Sequence, residues 1–265
     1  MSSQSTINLK KPPIYEVVCG LHFQQIEALD SLNQGIYWSL IREEFPQKRI
    51  KPPFFSGTSN LERVGLHGPR VRSWFTSEQR DILLQVQDDR FYVNWRRSDS
   101  HYPRFGNIDS EDGIINHLIE QYERFSAFCE NELGVAPEVE QVELAKVNII
   151  RRDTDWKTSD ELAAILPVLE GVIPYLSESE PQALVRLLTA SEPPVEVEIQ
   201  TVTVRESVSD GEEKQRELQT NGVQVEFRAK DSVGEAGFES ALIEINKHLN
   251  DCFLSVFPTA KSSFN

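Results

Sequence analysis

The side chains best suited by type and spacing to bind something lie in one short stretch, 81–104. Gln85, Tyr92, Asn94 and Arg96, with Tyr102 and Arg104 just beyond, offer amide, phenol and guanidinium groups. Arginine forks and aromatic rings dominate binding hot spots, and amides add directional hydrogen bonds. That chemistry is recognition, and no catalytic signature accompanies it. The five histidines, His22, His67, His101, His117 and His248, are scattered, with no pair at the i, i+4 spacing of a metal-binding helix. His101, beside Asp99 and Tyr102, is the best acid–base candidate by neighbourhood. The stretch Gly65-Leu66-His67-Gly68-Pro69-Arg70 lacks the order of a phosphate loop and the helix that follows one, so it reads as a turn. No serine sits in a GxSxG elbow. Asp153-Thr154-Asp155 looks like a calcium-loop fragment without the glycine or the bidentate glutamate, and reads as another turn. No catalytic residue, metal site or cofactor is expected.

The candidate binding residues need a scaffold, and 81–97, DILLQVQDDRFYVNWRR, provides one. Folded back at Asp88-Asp89, it pairs Val86 with Phe91, Leu84 with Val93 and Ile82 with Trp95 on one face. The other face then carries Gln85 with Tyr92, Leu83 with Asn94, and Asp81 with Arg96. Side chains alternate along a strand, so the first face can be buried while the second is displayed. A second account of the same residues makes Trp95 core, has Asn94 cap a turn, and pairs Arg96 with Asp81 across the hairpin.

Further elements follow from periodicity. Residues 14–23 read as a strand after the Pro12-Pro13 stop. Residues 33–45 read as an amphipathic helix with Ile36, Leu40 and Ile41 on one side, and 49–61 as irregular. A strand at 72–76 leads into the hairpin. Residues 110–133 form the clearest helix, capped by Asp109 or Ser110, with an apolar stripe through Ile115, Leu118, Ile119, Tyr122, Phe125 and Cys129 and with Gly134 at its end. A strand follows at 139–150. Residues 159–172 read as a helix that Pro167 kinks or splits. Strands at 183–189, 195–204 and 218–229 follow, with a polar loop at 207–214. Residues 238–257 form a final helix striped by Leu242, Ile245, Leu249, Cys252, Phe253 and Val256.

Each half thus runs strand, helix, several strands, helix. The expected fold is α+β, with antiparallel sheets packed against long amphipathic helices, built as two similar β-α-β(n)-α halves. The halves are 1–150 and 151–265, or one continuous domain. At 265 residues, 39% of them hydrophobic, either arrangement can bury a core.

The net charge is −15 and unevenly spread. Residues 49–104 hold ten Lys/Arg against six Asp/Glu, a local +4, while 105–265 hold thirteen against thirty-one. The acidic whole disfavours nucleic acid. The basic region at 49–104 is where a protein partner or an anionic ligand could dock, unless its arginines pair with the protein's own acidic half. No run approaches the roughly 18 apolar residues of a membrane helix, and the amino terminus lacks a signal-peptide core. Cys19, Cys129 and Cys252 are widely spaced among apolar residues and read as free thiols, with a cytoplasmic location as the default.

Taken together, Pro12-Pro13-Ile14 with Glu16, Leu84-Gln85-Val86-Gln87, Arg90-Phe91, Asn94-Trp95-Arg96, Tyr102-Pro103 and Asn148-Ile149-Ile150 resemble a sporadically distributed bacterial family of about this length whose function is not characterised. Leu254 to Phe257 and Thr259 are similar to the family's ending, without the tryptophan expected there. The resemblance covers most of the chain, with its specific part in the first 150 residues. It implies no catalytic residue, cofactor or substrate.

Two functional readings follow. The first is a non-enzymatic binding or adaptor protein using the basic, aromatic hairpin surface. The second is a small-molecule binder or unrecognised enzyme with a pocket between sheet and helix, lined by Tyr122, Phe125, Phe238 and Phe253. Self-association stays open, since glutamates on the outer helix faces disfavour it and strand edges permit it.

Overall fold

The computed structural model describes residues 9, 11–54, 70–98, 102–106, 113–170, 184–210, 214–260 and 264, with backbone alone for 204–210 and 214–220. Among them are nine strands: β1 (Ile14–Phe23), β2 (Gln47–Lys51), β3 (Arg72–Thr76), β4 (Ile82–Gln87), β5 (Arg90–Arg96), β6 (Val139–Arg151), β7 (Leu184–Leu188), β8 (Val195–Asp210) and β9 (Lys214–Ser232). The helices are α1 (Ser31–Ile41), α2 (Ile114–Phe128), α3 (Ser159–Ile165) and α4 (Gly237–Val256). The strands form one antiparallel sheet in the order β2-β3-β4-β5-β1-β6-β9-β8-β7, so the chain is α+β. No helix among the described residues is long and apolar enough to cross a membrane. The three cysteines are free thiols.

The chain divides into two compact units, one comprising Glu16–Leu144 with Lys230–Ile243, the other Met1–Tyr15, Ala145–Ala229 and Glu244–Asn265. In the first, β4 and β5 pair in the expected register, with Val86 opposite Phe91, Leu84 opposite Val93, Gln85 opposite Tyr92 and Leu83 opposite Asn94. Asp88-Asp89 makes the turn, and its carbonyls also accept from the Phe23 and Ile26 amides at the end of β1, at 3.1 and 2.8 Å. Val17, Cys19 and Leu21 from β1 and Phe91 and Val93 from β5 build an apolar face that is fully or almost fully buried. Helix α2 covers it. Phe125 stacks on Phe91 at 4.9 Å between ring centres and meets Tyr37 of α1 edge-on at 5.4 Å. The carbonyls of Arg104 and Phe105 accept from the first two amides of α2, and no side chain caps that end. The last turn widens into a π-turn, Cys129–Leu133, closed by Gly134 at φ 70°. Asp109 and Ser110, the expected caps, lie outside the described residues.

Three expectations are corrected. Helix α1 buries Gln34, Tyr37 and Ile41, whereas Ile36 and Leu40 are exposed. Tyr37 and Ile41, four residues apart, make the stripe, and the alternative Ile36–Leu40 stripe faces water. Residues 49–51, expected to begin an irregular stretch, instead end the edge strand β2, with Arg49 and Ile50 paired opposite Trp74 and Ser73. Within the polar stretch at 207–214, residues 207–210 and 214 are strand, with β8 running to Asp210 and β9 starting at Lys214, where cross-strand pairing overrides the loop-like composition.

In the other unit, Val195, Val197 and Ile199 of β8 and Val223, Val225 and Phe227 of β9 form a buried face. Phe253 and Phe257 pack on Phe227, and on each other at 4.7 Å. Helix α3 stops at Ile165, with a 3-10 turn from Pro167 to Leu169, as a proline inside the helical pattern requires. Asp153-Thr154-Asp155 is a turn in which Asp155 accepts from the Arg151 amide at 2.7 Å.

These packing assignments separate neighbouring positions on α1. Ile41→Ala is expected to destabilise by about 2–4 kcal/mol and Leu40→Gln by under about 0.5 kcal/mol in urea unfolding. Equal losses would mean that the buried face of α1 is wrongly assigned.

Candidate functional site

The second face of the hairpin is polar, as its alternation implies, but it is not displayed. Gln85 and Asn94 are 5% exposed and Tyr92 4%, so the expected open surface is corrected to a buried network. Arg96 is half-buried. The four residues do share one face, and each is engaged internally. Gln85 donates to the Asn94 side-chain oxygen at 2.7 Å, and Asn94 donates to Glu16 at 2.7 Å. Arg96 donates to the same Glu16 oxygen at 3.1 Å, so its partner is Glu16 and not Asp81, whose carbonyl takes only the Arg96 backbone amide.

Tyr92 leads to residues that the sequence reading did not single out as a site. Its hydroxyl donates to Glu143 of β6 at 2.8 Å. His22 Nε2 lies 3.0 Å from that hydroxyl and 3.1 Å from the same carboxylate oxygen, and Lys230 Nζ approaches it at 3.1 Å. Glu143 is a carboxylate with only 1% of its side chain exposed, and these donors offset its burial. Burial first, then the Glu143 charge, push the Tyr92 phenol well above its usual pKa. The phenol therefore stays protonated and donates, which suits it to holding three strands together and not to acting as a base. Gly20, opposite Tyr92 on β1, makes room for the ring, since a Cβ there would lie 2.2 Å from Tyr92 Cε1.

A second cluster surrounds the turn. Arg90 grips Asp89 with two nitrogens at 2.8 and 3.1 Å, while Arg70 bridges Asp88 and Asp89. Burial works to raise both aspartates; at Asp89 the two guanidinium groups outweigh it and the pKa falls, whereas at Asp88 burial prevails. Gln87 clasps Phe54 by its backbone, accepting from the amide at 2.7 Å and donating to the carbonyl at 2.9 Å. The Phe54 ring in turn carries the Arg72 guanidinium 3.5 Å from its centre.

The remaining candidates fall at the margin. Tyr102 stacks under Arg97 at 4.5 Å, and Arg104 is exposed next to them. His101, Asp99 and residues 65–69 lie outside the described residues. Tyr122, Phe125 and Phe238 pack as rings against one another or their neighbours, and the Tyr122 hydroxyl donates to the Pro137 carbonyl at 2.6 Å. No group of three or more His, Cys, Asp or Glu among the described residues could hold a metal ion. The signal for Glu143 and His22 lay in the alternation of β1 and β6. Glu16, Gly20 and His22 interleave with Val17, Cys19 and Leu21, and Glu143 sits between Val142 and Leu144.

No protein-family profile matches the chain, and neither does any curated protein. The site therefore has to be read from its own geometry.

Two measurements test that geometry. Tyrosine in an unfolded chain ionises near pH 10, and a phenol whose folded pKa is raised contributes stability that is complete below that pH and lost as pH climbs toward the folded value. Wild-type stability is expected to fall above about pH 10, and Tyr92→Phe to remove about 1.4 kcal/mol per pH unit of that slope. An unchanged slope would mean that the phenol titrates normally. Gly20→Ala is expected to displace the Tyr92 ring and cost about 2–4 kcal/mol, read by thermal unfolding and near-ultraviolet circular dichroism.

Proposed function

We propose that this protein is a non-enzymatic binding or adaptor protein that holds an acidic partner chain at the basic 49–104 region, with the contact on the outer edge of β2. The observation that carries the reading is the charge on that edge. In a chain of net charge −15, β2 ends the sheet and carries Lys48, Arg49 and Lys51, none of which is ion-paired to a carboxylate among the described residues. Exposed Ile50 and half-exposed Phe54 lie among them, and an edge strand has unpaired backbone groups that an extended segment can meet. Gln85 reaches toward the edge through Arg72 of β3, whereas Tyr92 and Asn94 bond away from it, to Glu143 and Glu16. Arg96 lies on β5, three strands from β2, where Glu16 neutralises it.

Three further readings belong to the same proposal. One is membership of the bacterial family that the chain resembles. Another is a cytoplasmic setting, in keeping with three free thiols. The third is descent of the two halves from one duplicated unit. The strand order supports it, since reading outward from the central β1–β6 pair meets β5-β4-β3-β2 on one side and β9-β8-β7 on the other.

A fluorescent oligoglutamate peptide provides the test. Binding measured by anisotropy is expected to weaken at least about tenfold on combining Lys48→Glu with Arg49→Glu, to weaken with salt, and to survive Arg186→Glu on β7. Equal binding by wild type and the double variant would overturn the reading.

A further inference from the structure

Among the described residues, five cationic side chains lie on or beside the buried polar face: Arg70, Arg72, Arg90, Arg96 and Lys230. Four have carboxylates within reach, shared among Asp88, Asp89, Glu16 and Glu143. Arg72 is the exception. It is 9% exposed, its Nη1 donates to the neutral Gln85 side chain at 3.0 Å, and its Nε has no acceptor among the described residues. Burial, with the Arg90 charge acting in the same direction, holds its pKa below the usual guanidinium value, the opposite of the shift at Arg70 and Arg90.

The groups beside it are also donors. Trp74 is two residues along the same strand and therefore on the same face. Its indole Nε1 is buried and has no acceptor among the described residues either, and the Arg72 guanidinium carbon lies 5.5 Å from its ring centre. Lys51, opposite Arg72 in the β2–β3 ladder, brings its ammonium to 4.7 Å from that same ring. Stacking on Phe54 and the bond to Gln85 hold the guanidinium in one plane, so its Nε edge is oriented before any ligand arrives. Lys51 and Trp74 are half-buried as residues, next to the edge strand, while the Arg72 Nε and Trp74 Nε1 atoms are themselves buried.

We propose that Arg72 Nε, Trp74 Nε1 and Lys51 Nζ form a seat for one oxyanion, of carboxylate or phosphate type. This rests on the acidic-partner reading and names the chemistry of its central contact. Donor-only groups with no acceptor of their own match a ligand that only accepts, and a guanidinium edge beside a second N–H matches two oxygens of one such group.

Thermal unfolding of the full chain at constant ionic strength tests the seat, with sodium phosphate and sodium acetate each replacing chloride. The melting temperature is expected to rise with at least one oxyanion, and the arm with the lower half-saturating concentration identifies the source. Arg72→Gln should abolish the rise. Trp74→Phe, which keeps the ring and removes only the N–H, should raise the half-saturating concentration about tenfold, and it serves if Arg72→Gln does not fold. Arg186→Gln should behave as wild type. A rise in neither arm, or an equal rise in wild type and Trp74→Phe, overturns the seat. If oligoglutamate still binds wild type and Trp74→Phe alike, the seat falls while the acidic-partner reading stands. If charge reversal on β2 leaves the peptide bound, that reading falls.

Discussion

Strand β5 is buried on both sides, so every polar side chain it carries must find its partner inside the protein. Arg90 uses Asp89, Tyr92 uses Glu143, and Asn94 uses Glu16 and Gln85. An unsatisfied polar group there would cost about 1–3 kcal/mol, and an unpaired charge more. The arrangement of the neighbouring strands follows from that demand. Glycine at position 20 leaves space for the tyrosine ring, and the two aspartates of the turn serve twice. Their carbonyls hold the end of β1, and their carboxylates neutralise Arg70 and Arg90.

A network of this kind adds little net stability for its size, because desolvation offsets much of the attraction. It does restrict register. A slip of β5 by one residue would move Tyr92 and Asn94 into the aromatic layer beneath α2 and leave Glu143 without its phenol donor. Arg72 stands outside this balance, since its Gln85 contact supplies a hydrogen bond but no negative charge. On β2 the lysines have one consequence for the sheet. They oppose pairing of that sheet edge with another such edge.

Much of the fold was legible. The pairing of Val86 with Phe91 and of Gln85 with Tyr92 followed from a two-residue polar turn between alternating strands. The split of 159–172 followed from Pro167. The buried face of α1 was not legible, because Ile36 and Leu40 are as apolar as Tyr37 and Ile41, and only the position of Phe125 and Phe128 selects the latter. For the site, Gln85, Tyr92, Asn94 and Arg96 were legible as neighbours on one face. Glu143 and Lys230 were not, since they arrive from strands far away in the chain.

Alternation of side chains along a strand is a local property of the backbone, so the sequence by itself determined which residues share a face and where the hairpin turns. Whether that face meets water is not a local property. It depends on distant segments, Glu16 and His22 on β1, Phe54 after β2 and Glu143 on β6, reaching the same place. Only the tertiary structure decided that Tyr92 and Asn94 are sealed and that Arg72 lies among donors, because burial and charge balance are sums over groups that the chain brings together only when folded.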